Sequence, residues 1–291
     1  METKDYSIFP LIFNGSNLNQ NGFNNRYTYT FPGGGITFPK SSHVTLSNIA
    51  LYYSIFNITA QNQNNSFQYT YTTGAGTTTR TVNIPDGFYE ISDLNNLLQQ
   101  DMIAAGFYLV DNSGNFVYYL EIVQNPTYYA IQVNTYAFPN ALPAGYTNPN
   151  AIPFPVNPQT TQLIVPASNN FGTVIGYAPA TYPAVIQTTT QTFLSTSTPV
   201  VSPVQSLVLT CSLLNNKFSN PTSALYSFSF AGTSFGNIIE RSPNEYFFVD
   251  IVPGQYNEIT IEFLDQNFNK VKLNDTDLIV QLLVSVPKIS N

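Results

Sequence analysis

Short runs of β-branched and aromatic residues, alternating with polar ones and cut by Gly, Pro and Asn, dominate this chain. That pattern predicts antiparallel strands. Residues 26–31 alternate strictly and stop at Pro32-Gly33-Gly34-Gly35. Residues 43–59 read as one long or bent strand with Val44, Leu46, Ile49, Leu51, Ile55 and Ile58 as its apolar positions. Residues 67–71 and 79–84 form a pair around Gly74-Ala75-Gly76, and residues 107–110 and 116–123 a second pair around a turn at 111–115. Residues 128–136 add another strand. The last third is the most regular, with strand-like runs at 206–214, 224–230, 246–252, 258–264 and 277–286. Such runs joined by hairpin-type turns predict Greek-key topology in an all-β sandwich or barrel.

One segment follows a different period. After Pro85-Asp86-Gly87, residues 89–105 place Ile91, Leu94, Leu97, Leu98, Met102 and Ile103 at helical spacing. Ser92 is the expected N-cap, Asp93 suits the first turn, and Gly106 can end the helix. Residues 168–175 fit a short helical turn. Between 138 and 158 the prolines 139, 143, 149, 153, 155 and 158 predict an extended connection. Residues 188–198, nearly all Thr, Ser and Gln, read as a loop or edge segment lying on other protein.

Composition narrows the function. The 291 residues suffice for one large domain or two modest ones. Only 9% are charged, against about 25% in an ordinary soluble domain, while 14% are aromatic. The 34 Asn residues must therefore supply much of the polar surface. Residues 122–239 hold a single charged side chain, Lys217. A net charge of −7 with nine Lys and Arg argues against direct contact with nucleic acid. One His (His43) and one Cys (Cys211) cannot build a zinc cage or a disulfide framework. No stretch reaches the roughly 18 apolar residues of a membrane helix, and the opening Met1-Glu2-Thr3-Lys4-Asp5 does not read as a signal peptide. No cofactor is expected.

Several motifs invite chemistry. Gly232-Thr233-Ser234-Phe235-Gly236 matches the nucleophile elbow, but no His follows it and the next residues make a poor helix. A Cys211–His43 nucleophilic pair is formally available, although Cys211 sits in an apolar run. Asp265-x-Asn267-x-Asn269 resembles the opening of a calcium loop, yet Lys270 stands where Gly is needed. A cation between subunits needs no such motif, and Asp265, Asp275 and Asp277 are its candidates. Asp250, Glu258, Glu262 and Asp265 form the densest carboxylate group. The sequons at Asn14, Asn57, Asn64 and Asn274 are expected by chance in so Asn-rich a chain, and no glycans are assigned to them.

Specific segments carry a resemblance. Residues 84–98, from Ile84-Pro85-Asp86-Gly87 through Leu97-Leu98, look like the strand, turn and amphipathic helix of capsid proteins from virophages and Polinton-type DNA viruses. Asn169-Asn170-Phe171-Gly172 through Gly176-Tyr177 is similar to a second segment of that group. So are residues 209–216 with 224–229, and residues 259–265 with 278–283. A length of 291 residues is similar to that of the group's single-jelly-roll penton proteins, most of all the mavirus type, and not to the longer double-roll major capsid proteins. The resemblance implies a single jelly roll formed by residues 1–60 and 201–291, with residues 61–200 as an inserted, mostly-β subdomain carrying one short helix. It also implies a non-enzymatic homopentamer at the capsid vertices, contacting the major capsid protein in virions assembled inside the host cell. Tyr128, Tyr129, Tyr136 and Tyr146 are the candidate subunit contacts. A receptor- or glycan-binding jelly roll is the alternative, and a jelly-roll hydrolase or lyase comes after it.

Overall fold

Along residues 43–52 the apolar positions change parity, from Val44 and Leu46 to Ile49 and Leu51. A regular strand sends those two pairs to opposite faces. The computed structural model, which describes residues 5–288, meets the conflict with a bulge. His43–Tyr52 pairs antiparallel with Leu278–Pro287; Gln281 faces Asn48 and Leu282 faces Leu46, so Ser47 has no partner. That extra residue keeps Val44, Leu46, Ile49 and Leu51 all buried.

The described residues group into two units. The first joins the chain up to Ile55 with the chain from Val204 onward. Its longer strands are β1 (Tyr6–Asn14), β2 (Arg26–Thr30), β3 (His43–Tyr52), β4 (Ser206–Cys211), β5 (Ala224–Ser229), β6 (Ile238–Arg241), β7 (Glu258–Asp265) and β8 (Leu278–Pro287). They form two antiparallel sheets, ordered β1-β8-β3-β6 and β5-β4-β7-β2. Every connection except β4–β5 crosses from one sheet to the other. This is a jelly roll, the fold class expected from the sequence. Each sheet buries one face: Val280, Leu282 and Val284 of β8 in the first, Ile259, Ile261 and Phe263 of β7 in the second. Phe13 of β1 meets Tyr29 of β2 edge to face at 6.3 Å.

Two edges of the first sheet depart from the sequence expectation. β1 is hidden in the pattern because Pro10 splits its apolar run; the proline is tolerated since β1 lies at the sheet edge, with β8 its one strand neighbour among the described residues. The stretch after Gly236 is a strand, β6, paired with β3. Residues 43–59 are no single strand: β3 ends at Tyr52, and Ile58 is buried in a loop where it bridges Gly87. In the 246–252 run only Val249–Asp250 pairs with β3, while Tyr246 and Phe247 stand exposed.

The second unit, Phe56–Pro203, lies in sequence between β3 and β4. A four-stranded sheet runs Ala180–Tyr182, Gln162–Val165, Ser66–Thr73, Gly76–Asn83, and a three-stranded one runs Gln191–Leu194, Ala130–Thr135, Leu120–Asn125. Gln191–Leu194 lies within the Thr-rich stretch and is an edge strand on this unit's own sheet. The 116–123 run divides. Phe116–Val117 pairs with Leu109–Val110, and Leu120–Asn125 pairs with Ala130–Thr135.

Helix α1 (Ile91–Ala104) buries Ile91, Leu94, Leu98 and Met102 against Phe67, Tyr69, Leu120, Ile122 and Val133. Ile103 falls outside that stripe and is exposed. The N-cap is Glu90, and Ser92 lies inside the first turn. Asp93 accepts from the Glu90 backbone N–H at 2.9 Å, satisfying a donor that the helix start leaves open. Gly106, with φ of 68°, ends the helix. A second helix, α2 (Phe171–Ile175), occupies the expected helical turn and closes at Gly176.

One ion pair fixes α1 to the sheet. Arg80 donates to both oxygens of Asp101, Nε at 2.7 Å and Nη2 at 2.9 Å, and the Tyr69 hydroxyl donates to Asp101 Oδ2 at 2.8 Å. The Arg80 hydrogen bonds hold the Asp101 carboxyl below the usual carboxylate range. A depressed folded-state value means the stabilisation is full above the unfolded value of about 3.9 and is lost as pH falls through the folded value. Asp101→Asn is expected to destabilise the protein by roughly 1–2 kcal/mol at neutral pH. Thermal unfolding across the acid limb checks this: wild type loses its advantage over the variant as pH drops below about 4.

Candidate functional site

The motifs with catalytic precedent lie apart or are engaged structurally. Cys211 is fully buried on β4, and burial pushes its thiol up to about 12. His43 is occupied elsewhere, with Nε2 3.3 Å from Asp250 Oδ1 and its ring 5.7 Å from that of Tyr6. Gly232–Gly236 is the exposed turn leading from β5 to the β6 edge strand. Glu258 and Glu262 share the outward face of β7, since Ile259, Ile261 and Phe263 between and beyond them are buried. Glu262 Oε1 accepts from Asn25 Nδ2 at 3.3 Å.

Two of the three candidate cation ligands, Asp265 and Asp275, hold turns with their carboxylates. Asp265 Oδ1 accepts from the backbone N–H of Asn267 and of Asn269, both at 2.8 Å, while Oδ2 accepts from Asn269 Nδ2 at 3.1 Å. The resemblance to a calcium loop thus reflects a shared turn geometry, with amide hydrogens in the place of the ion. Asp275 Oδ1 accepts from the Asp277 N–H at 2.9 Å. Among the described residues no three His, Cys, Asp or Glu side chains are grouped to hold a metal. Three of the four sequon amides are also engaged: Asn57 Nδ2 donates to Tyr89 and Val201 carbonyls, Asn64 to Asn57, and Asn274 to Ser54.

The four tyrosines split into two pairs. Tyr128 and Tyr129 stand at the Pro126–Tyr129 turn, 69% and 75% exposed. Tyr136 and Tyr146 are half-buried against a small cluster of Phe107, Leu109, Tyr119, Phe138 and Ile152. They also line a cleft of about 530 Å³ in the second unit, with Tyr118, Pro139, Pro143 and Glu121 among its walls. The Tyr136 hydroxyl donates to Glu121 Oε2 at 2.9 Å, and Asn134 Nδ2 donates to the same oxygen at 3.0 Å. The chain order alone does not assemble this cleft, because Glu121 and Tyr146 lie far apart in the sequence. Its one local signal is the tyrosine pair beside a lone acid at 118–121.

A third feature belongs to the first sheet of the roll. Its outward face exposes Ile8 and Ile12 of β1, Ile279 of β8 and Ile238 of β6, each at least half exposed. Asn14 pairs with Ile279, Ile279 with Ala50, and Tyr52 with Ile238, so a shallow apolar groove of about 330 Å³ crosses the sheet near Leu278.

No family model and no curated protein matches the chain. Among solved structures it is similar to the mavirus penton protein, at 10% identity and a TM-score of 0.45, over 98% of this chain and all of that one. It is similar also to a chain in the structure of the Sputnik virophage, at 12% identity and a TM-score of 0.41, over 99% of each.

Burial of Cys211 predicts that a thiol reagent leaves the native protein untouched at pH 8 and labels it fully in denaturant. Asp265→Ala is expected to cost roughly 1–2 kcal/mol in urea unfolding, because two turn N–H groups lose their acceptor.

Proposed function

We propose that this chain is a viral capsid subunit, and within the capsid a penton protein that forms homopentamers at the vertices and contacts the major capsid protein. The observation that carries the reading is the outward face of the β1-β8-β3-β6 sheet, where Ile8, Ile12, Ile238 and Ile279 lie exposed on a jelly roll. Such a face is expensive to leave in water and is stabilised by burial against protein. The resemblance of residues 84–98, 169–177 and the closing strands to virophage and Polinton-type capsid proteins supports the same role. The second unit, inserted between β3 and β4, is the insertion domain of this reading, and Tyr128 and Tyr129 are its exposed contact residues.

Closure at five requires a heterologous contact, one patch of each subunit meeting a different patch of the next. Neutral Asn, Gln, Thr and Tyr groups suit it, since they hydrogen-bond across an interface without the desolvation penalty of charges. The test is the mass of the purified protein by light scattering, with imaging of the particles. Rings of five copies are expected. The double variant Ile12→Glu, Ile279→Glu changes only exposed positions, so it is expected to keep its melting temperature within a few degrees and to lose the ring. A wild-type protein that stays monomeric at all concentrations and is absent from particles overturns the reading.

A further inference from the structure

The cleft of the second unit combines three properties that point to one kind of ligand. Its walls are aromatic and proline surfaces: Tyr118, Tyr119, Tyr136, Tyr146, Pro139 and Pro143. It contains one acid, Glu121, whose Oε2 is held by Tyr136 and Asn134 while Oε1 accepts no hydrogen bond among the described residues. The third property is the charge around it. Residues 56–203 carry six carboxylates and one cation, Arg80, which is already engaged by Asp101 at both guanidinium contacts.

Glu121 is therefore a positioned anion without a counter-charge, in a cleft lined by tyrosine side chains. Ring faces attract cations through their quadrupole, and the attraction grows as water is displaced. A neutral apolar ligand would leave the carboxylate partly desolvated and unpaired. An anion would meet like charge. A guanidinium or ammonium on an aliphatic stem satisfies every wall: its head pairs with Glu121 Oε1, and its methylenes cover the Tyr and Pro surfaces. A cleft of about 530 Å³ has room for a whole side chain with its backbone. We infer that this cleft is a docking site for an arginine or lysine side chain presented by a protein partner, drawn by the acidic character of the whole unit.

The experiment titrates the full-length protein with short capped peptides, Gly-Arg-Gly and Gly-Lys-Gly, followed by NMR of the tyrosine ring signals. Gly-Gln-Gly, glucose and choline serve as comparisons. The basic peptides are expected to shift the Tyr136 and Tyr146 signals in the millimolar range and to weaken as salt rises. Glu121→Gln keeps the shape and an acceptor for Tyr136 but removes the charge, and is expected to weaken binding about tenfold. Tyr146→Leu keeps apolar volume without the ring face, and is expected to weaken binding several-fold. Three results overturn the inference: equal binding of the glutamine peptide or glucose, basic-peptide binding unchanged in Glu121→Gln, or no shift with either basic peptide at millimolar concentration. Choline binding as tightly as the arginine peptide also overturns it, in favour of a free organic cation. The melting temperature of each variant is measured alongside, and Tyr146→Phe, which keeps the ring, is expected to bind like wild type.

Discussion

Burial of the β3 and β8 apolar rows on the inner face of the first sheet is the contact on which the jelly roll depends. β8 presents Leu278, Val280, Leu282 and Val284 in unbroken alternation, and β3 can match it only by ejecting Ser47 from the ladder. Without the bulge, either Val44 with Leu46 or Ile49 with Leu51 would face outward, at about 1.5–3 kcal/mol for each side chain left in water. The same ladder sets the position of both edges, since β1 hangs on β8 and β6 on β3. The apolar outer face is a consequence of that order. Ile12, Ile279 and Ile238 alternate with core residues, so a sheet built to bury one face leaves them on the other.

With so few charges, amides do the work that ion pairs do elsewhere. Asn57 is the clearest case: its Nδ2 reaches the carbonyls of Tyr89 and Val201, and its Oδ1 accepts from the Tyr89 N–H at 2.8 Å. One side chain so ties three distant stretches of the second unit, with no charge to desolvate. Asn25 is likewise fully buried and bonded to the Phe263 carbonyl of β7. Against this neutral background two carboxylates of the second unit stand out. Asp101 is neutralised by Arg80, and Glu121 is held only by neutral donors. The first is a structural clamp between helix and sheet. The second has the character of a recognition group, because its charge is left uncompensated within its own unit.

Strands with one buried face were legible wherever their alternation is clean, as in residues 26–30, 258–265 and 278–287, and α1 was legible from its period. Two strands that the pattern hides share a cause. β1 and β6 are edge strands, where one neighbour suffices and the pattern can be broken by Pro10 or shortened to Ile238–Arg241. The 116–123 run holds no Gly, Pro, Asn or Asp, so its break near Tyr118 and Tyr119 coincides with Phe107 and Phe138 packing against Tyr119 and not with any local turn residue. The helix is capped at Glu90 and not at Ser92 because Asp93 reaches back to the Glu90 N–H.

Taken alone, the sequence determined an all-β chain with one real helix, a charge-poor middle and no grouping of His and Cys that could build a metal cage, because composition and period act locally. Tertiary structure alone decided which residues meet across long separations. It put Glu121 beside Tyr136 and Tyr146 in a cleft, separated Cys211 from His43, and left one sheet face apolar and open. The physical reason is that hydrophobic burial is non-directional. Periodicity says that a face will be buried, whereas strand order and register decide against what, and therefore which polar groups and rings are left facing one another.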